Sequence, residues 1–113
     1  MDKNFVFLEG SIGDDIKWGT ADNGNKYCTF TLIIDAFFKE TKDPTERDHS
    51  KTFVRVFVYG RQQLEYLQRV DVKQGNRASI FARLSSHKTE IASKNIIQLN
   101  VVVRDITIIK TKA

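Results

Sequence analysis

The sequence predicts an all-β domain with one short helix, a five-stranded barrel in which the helix lies between strands three and four. Three observations carry that prediction. Five stretches rich in β-branched and aromatic residues are separated by polar or glycine-containing turns. A single leucine stripe at helical spacing follows the third of them. The resulting order of three strands, one helix and two strands is not a βαβ pattern, and a small set of antiparallel strands hides its edges best by closing into a barrel.

Each element has its own justification. Residues 5–12 are rich in Phe, Val, Leu and Ile, and Gly10 and Gly13 fit a strand that bends or bulges. After Ile16 and Trp18 comes ADNGN, whose Asn23-Gly24 pair suits a hairpin with a type I′ turn. Residues 27–38 alternate, with Cys28, Phe30, Leu32 and Ile34 on one face and Thr29, Thr31 and Asp35 on the other, Ile33 being the exception. Residues 39–51, KETKDPTERDHSK, hold four acids, four bases and the only proline, and are expected to form a mobile loop. Residues 52–59 are the third strand, ended by Gly60. In RQQLEYLQRV, residues 61–70, Leu64, Leu67 and Val70 recur every third position and predict an amphipathic helix. Residues 79–84 form the fourth strand, SSHKTEIASKN (85–95) is expected to be a second mobile polar loop, and residues 96–109 the fifth strand. Among five-stranded barrels with a helix in that place, the OB-fold is the commonest.

With 113 residues and no linker or repeat, residues 1–113 read as one domain with one core. Cys28 is the only cysteine, which excludes an internal disulfide, and with only His49 and His87 beside it no metal site is expected. Asp14-Asp15 reads as turn chemistry, since no third ligand stands at a metal-binding spacing. No acid, histidine and nucleophile pattern points to catalysis, so no enzyme activity and no cofactor are expected. The formal charge of +4 is compatible with a polyanionic partner but too small to identify one. Neither a signal peptide nor a membrane span is recognisable, which places the chain in the cytoplasm.

The candidate site is the stretch TFVRVFVYGR, residues 52–61. The pleat sends Val54, Val56 and Val58 to one face, a core face, and Phe53, Arg55, Phe57 and Tyr59 to the other. Three rings around a guanidinium on a non-core face call for a use. One is stacking on nucleobases. The other is burial in a subunit interface, where aromatic residues are also enriched.

The residues resemble those of bacterial-type single-stranded DNA-binding proteins. The likeness runs in order through NFVFLEGSIGDD, Asn23-Gly24, Phe30-Thr31-Leu32, FVRVFVYGR with its following helix, Gln74-Gly75 and the strand from Ile80 to Leu84. It implies an OB-fold that binds single-stranded DNA in replication, recombination or repair, as a homo-oligomer, either tetramer or dimer. It also implies the binding residues: Phe38, Phe53 and Tyr59 as stacking aromatics, Arg55 between two of them, Arg61 after Gly60, and Lys88 at the foot of the loop between strands four and five. Phe57 and His87 are further candidates. The chain departs from the family where His87 and Thr89 stand beside Lys88 in place of a fourth stacking aromatic, leaving that platform missing or reduced to imidazole, and where IIKTKA ends without an acidic tail, so recruitment of replication enzymes through a tail is not expected. Tailless relatives such as primosomal replication protein N, and phage or plasmid proteins, share that feature. The host compartment is then a bacterial cytoplasm, or the cytoplasm of the host of a phage.

Stacking tolerates any sequence because every base has a π-face, and cations beside the rings make such binding fall with salt. Lys17, Lys39, Lys51, Lys88 and Lys94 stand in or beside expected loops, where they would rim a groove. Trp18 reads as packing against the barrel end. The competing function class is a protein-interaction module that docks through the same aromatic face without binding DNA.

Overall fold

The computed structural model describes residues 1–38 and 48–109. In chain order its elements are β1 (Val6–Ile12), β2 (Lys17–Thr20), β3 (Lys26–Phe38), β4 (Asp48–Tyr59), α1 (Arg61–Arg69), β5 (Arg77–Ile91) and β6 (Lys94–Ile109). Hydrogen-bonded neighbours run β1-β5-β6-β4-β3-β2, and β1 also pairs with β3, which closes a ring of five strands with β2 appended to β3. All pairings are antiparallel except β4 with β6. This is the barrel expected from the sequence. Its helix falls between β4 and β5 in the observed count, because Lys17–Thr20 forms a short strand of its own.

Closure depends on β1 serving two neighbours. Residues from Val6 to Ser11 pair with β5, and Ser11 and Ile12 pair with Ile33 and Leu32 of β3. At that crossing the backbones come so close that a Cβ on Gly10 would run into the Ile33 carbonyl, and one on Gly13 into the Ile33 side chain. Ile33, which breaks the alternation of its strand, is thus the residue that fills the hollow left by Gly13.

Inside the ring lie Phe30, Leu32, Val56, Val58 and Ile80, all fully buried. Leu64 and Leu67 of α1 join them from one end. Complete burial of such side chains stabilises by roughly 1.5–3 kcal/mol each, so the leucine stripe suffices to hold a nine-residue helix whose N-cap, Gly60, offers no side chain. Val70, the third member of the expected stripe, is the C-cap residue. The Tyr66 hydroxyl accepts the Ile108 N–H at 2.9 Å and ties the helix to the end of β6.

Three local expectations are corrected. The β2–β3 connection is the five residues 21–25, with Ala21 N–H donating to Asn25 C=O at 2.8 Å and Gly24 N–H to Ala21 C=O at 2.9 Å. Only Gly24 there has positive φ, at 87°, so it is not a type I′ turn. Asn23 instead uses its side chain, accepting the Asn25 N–H at 3.0 Å. Residues 85–95, expected as a mobile loop, form the outer half of a long β5–β6 hairpin that stays paired to Ile91 and Lys94. The hairpin turns on Ala92 and Ser93, at φ 51° and 64°. Its polar sequence follows from its position: it runs past the barrel with water on both faces, so no apolar alternation is needed. Of the charged segment 39–51, residues from Asp48 onward belong to β4, and 39–47 lie outside the described residues.

Candidate nucleic-acid interface

The pleat of β4 separates its side chains as the sequence predicts. Val56 and Val58 are sealed in the core, whereas Phe53 is 65 % and Tyr59 40 % exposed on the opposite face. Register with β3 sets what lies beside them: Tyr27 opposite Tyr59, Thr29 opposite Phe57, Thr31 opposite Arg55 and Ile33 opposite Phe53. Tyr27 therefore adds a ring that strand-by-strand reading does not select. Its centroid lies 5.8 Å from Tyr59 and 6.5 Å from Phe57, and Phe57 and Tyr59 are 6.5 Å apart with planes only 14° from parallel. Gly19 of β2 is paired with Tyr27, and a Cβ there would strike the tyrosine ring, so the glycine gives that ring its place.

Arg55 is not a loose cation. Its Nη1 donates to Asp14 Oδ2 and to Thr31 Oγ1, both at 3.1 Å, while Asp14 accepts the Thr31 N–H at 2.7 Å and hydroxyl at 3.2 Å. Asp14 is thus more than a turn residue: it joins the segment after β1 to β3 and β4. Burial, the largest single influence, pushes its carboxyl up, but the hydrogen bonds from Thr31 and the Arg55 guanidinium outweigh it and hold the group below the usual carboxylate value. Arg55 and Asp14 side chains are each 38 % exposed, so the guanidinium still presents part of its surface between Phe53 and Phe57. Because Arg55 is paired, covering this face would not leave an unpaired guanidinium, so it is the exposure of Phe53 and Tyr59 that marks the face as open.

The other expected residues divide by position. Arg61 opens α1 directly after Tyr59 and Gly60, with its Nε donating to Glu65 at 2.9 Å. His87 and Lys88 stand on the projecting hairpin, opposite Gln98 and Ile97. Strand parity from the Phe57–Val102 pair puts His87 on the face of the aromatic rings and Lys88 on the reverse, with Leu84, Ile97 and Leu99. Phe38 ends β3, and its side chain lies outside the described set. Trp18, expected to pack at the barrel end, does border α1 but keeps 46 % of its surface exposed. Together with Tyr27, Tyr59 and Arg61 it lines a groove between the β2–β3 hairpin and α1.

Among the described residues no cluster of His, Cys, Asp and Glu is placed to hold a metal ion, and no helix is long and apolar enough to cross a membrane. Cys28 is enclosed in the core, and burial pushes its thiol up to about 12.

With an aromatic strand face on a closed five-stranded barrel established, likeness to known proteins becomes informative. The profile of the Single-strand binding protein family matches residues 3–109. The chain belongs to that family. No curated protein sequence matches it. The fold of this single-strand binding family member is similar to that of the Plasmodium falciparum SSB in complex with ssDNA, at 17% identity and TM-score 0.83, covering 97% of each chain. It is similar also to the mitochondrial single-stranded DNA binding protein Rim1 of S. cerevisiae, at 18% identity and TM-score 0.70 over 100% of both chains. For the single-stranded DNA binding protein from Thermus aquaticus the values are 19% and 0.78, covering 96% of this chain and 51% of the other.

Proposed function

We propose that this single-strand binding family member binds single-stranded DNA with little regard to sequence, bases stacking on Phe53, Phe57, Tyr59 and Tyr27 and nearby cations meeting phosphates. The observation that carries the reading is the aromatic outer face of β4, where Phe53 and Tyr59 are open to solvent and Phe57 and, across the register, Tyr27 lie half-buried beside them. At about 3.3 Å per residue, Phe53 and Tyr59 stand roughly 20 Å apart along the strand, room for several nucleotides. Arg61 and Lys51 flank this row, both exposed. Arg55, held by Asp14, serves as a fixed planar surface between rings more than as a free counter-charge. Phe38 and His87 are secondary contacts in this reading, whereas Lys88, on the reverse face of the hairpin, is not one.

The protein acts by binding, not catalysis: its one thiol is sealed in the core and Asp14 is committed to Thr31 and Arg55. It works in the cytoplasm, in replication, recombination or repair. It works as a homo-oligomer, dimer or tetramer. Exposed Phe5 and Phe7 of the N-terminal region and β1, with Phe81 of β5, support an association face away from the β4 rings, Phe5 and Phe81 already stacking at 5.6 Å.

The test is a titration of oligo(dT) into wild type and a Phe53→Ala, Tyr59→Ala variant at two salt concentrations, with oligomeric mass followed in parallel. Binding that falls log-linearly with salt in wild type, and weakens by about tenfold or more in the variant, is the expected result. Equal affinity in a variant of unchanged mass overturns it.

A further inference from the structure

The ring face of β4 does not end at Tyr59. It turns a corner into the groove between the β2–β3 hairpin and α1, about 940 Å³ of open space, within the roughly 300–1,000 Å³ typical of small-ligand sites. We infer that this groove is an additional nucleobase subsite, in which Trp18 takes a base of the same strand that crosses the β4 platform. The inference rests on the single-stranded DNA reading of that platform.

Four features select a base as the occupant. Tyr27 and Tyr59 belong both to the ring cluster and to the wall of the groove, so a strand stacked on them is led into it without a gap. Trp18 lines the same space and exposes 46 % of its surface, a large cost for an indole that merely packs. Asn25 and Gln68 are among the lining residues, and a side-chain amide can both donate to and accept from the edge of a base. Last, Arg61 gives its Nε–H to Glu65 at 2.9 Å. With Lys26 also on the lining, that pair leaves one net positive charge, which suits a nucleotide: an uncharged base carrying one phosphate. Lone tryptophans at a barrel end are ordinarily packing residues. Here the strand parity that pairs Trp18 with Cys28 turns it toward the barrel, yet α1 covers it only in part, and the uncovered remainder faces the groove.

Trp18 is the only tryptophan in the chain, so its emission reports this groove alone. The experiment follows two signals as oligo(dT) is added: anisotropy of a dye on the oligonucleotide, which reads binding anywhere, and Trp18 emission. Wild type should show anisotropy and Trp18 quenching saturating together. Trp18→Ala should weaken binding by on the order of tenfold, and Trp18→Phe, which keeps a stacking ring, should restore most of it. Wild type that binds by anisotropy with Trp18 emission unchanged, or a folded Trp18→Ala variant that binds as tightly as wild type, overturns the subsite and leaves the β4 platform standing. Should Trp18→Ala fail to fold, the wild-type emission still decides. No anisotropy change in wild type at low salt overturns the platform itself and the subsite with it.

Discussion

Single residues set the working surface, and two that shape it, Tyr27 and Asp14, are invisible one strand at a time. Tyr27 lies in an alternating stretch where nothing distinguishes it from a boundary residue. Its partnership with Tyr59 comes from a register that links residues on different strands. Replacing Tyr27 with Ala should therefore weaken oligo(dT) binding by roughly 1–3 kcal/mol, the value of one stack, with little change in thermal stability; a calorimetric titration beside a melting curve separates the two. Arg55 was legible as a candidate, but its partner Asp14 lies 41 positions away and reads locally as a turn acid. Asp14→Asn should release the guanidinium to meet phosphate. The expected outcome is tighter binding to oligo(dT) at low salt and a salt slope steeper by about one unit, measured by titration from 50 to 200 mM salt, even as the protein itself loses stability. Val54, Val56 and Val58, in contrast, follow from the pleat alone, because one buried side of a strand leaves a period-two trace in the sequence.

Elements were legible in proportion to how much apolar surface they bury. β3, β4 and α1 announce themselves through Cys28, Phe30 and Leu32, through the valines, and through Leu64 and Leu67, all packed in the core. The outer β5–β6 hairpin buries little, so its composition is that of a loop, and the turn at Ala92 and Ser93 lacks the Asn or Gly that normally marks positive φ. That absence is itself a handle. Both residues sit in the left-handed region at a cost, since a Cβ there crowds the backbone. Ala92→Asn with Ser93→Gly should relieve it and stabilise the hairpin by about 1 kcal/mol, seen as slower amide exchange in residues 86–98 without movement of the core amides. Unaltered exchange there would count against the turn geometry.

For the whole molecule, the question is what keeps the barrel closed, and the answer predicts how stability varies with pH at both ends. β1 meets β3 through only Ser11 and Ile12, aided by Gly13 N–H donating to Thr31 C=O at 2.8 Å, and Asp14 then clamps the crossing through Thr31 and Arg55. Because the Asp14 carboxyl titrates lower in the folded chain than its ordinary 3.8, its contribution is complete above that value and is lost as pH falls through the lowered one. At the alkaline end the sign reverses its origin. Cys28 keeps its proton up to about 12 when folded but releases it near 9.0 when unfolded, so between those values the unfolded chain binds fewer protons and stability declines as pH rises. A Cys28→Ala variant lacks this titration. The advantage of wild type over Cys28→Ala in urea melts should hold steady from pH 6 to 8 and shrink above pH 9, by up to ~2–3 kcal/mol at pH 11. Parallel curves for the two proteins across that range would mean that water reaches the thiol in the native barrel, and with it that the end of the barrel beneath α1 and Trp18 opens far more readily than its packing requires.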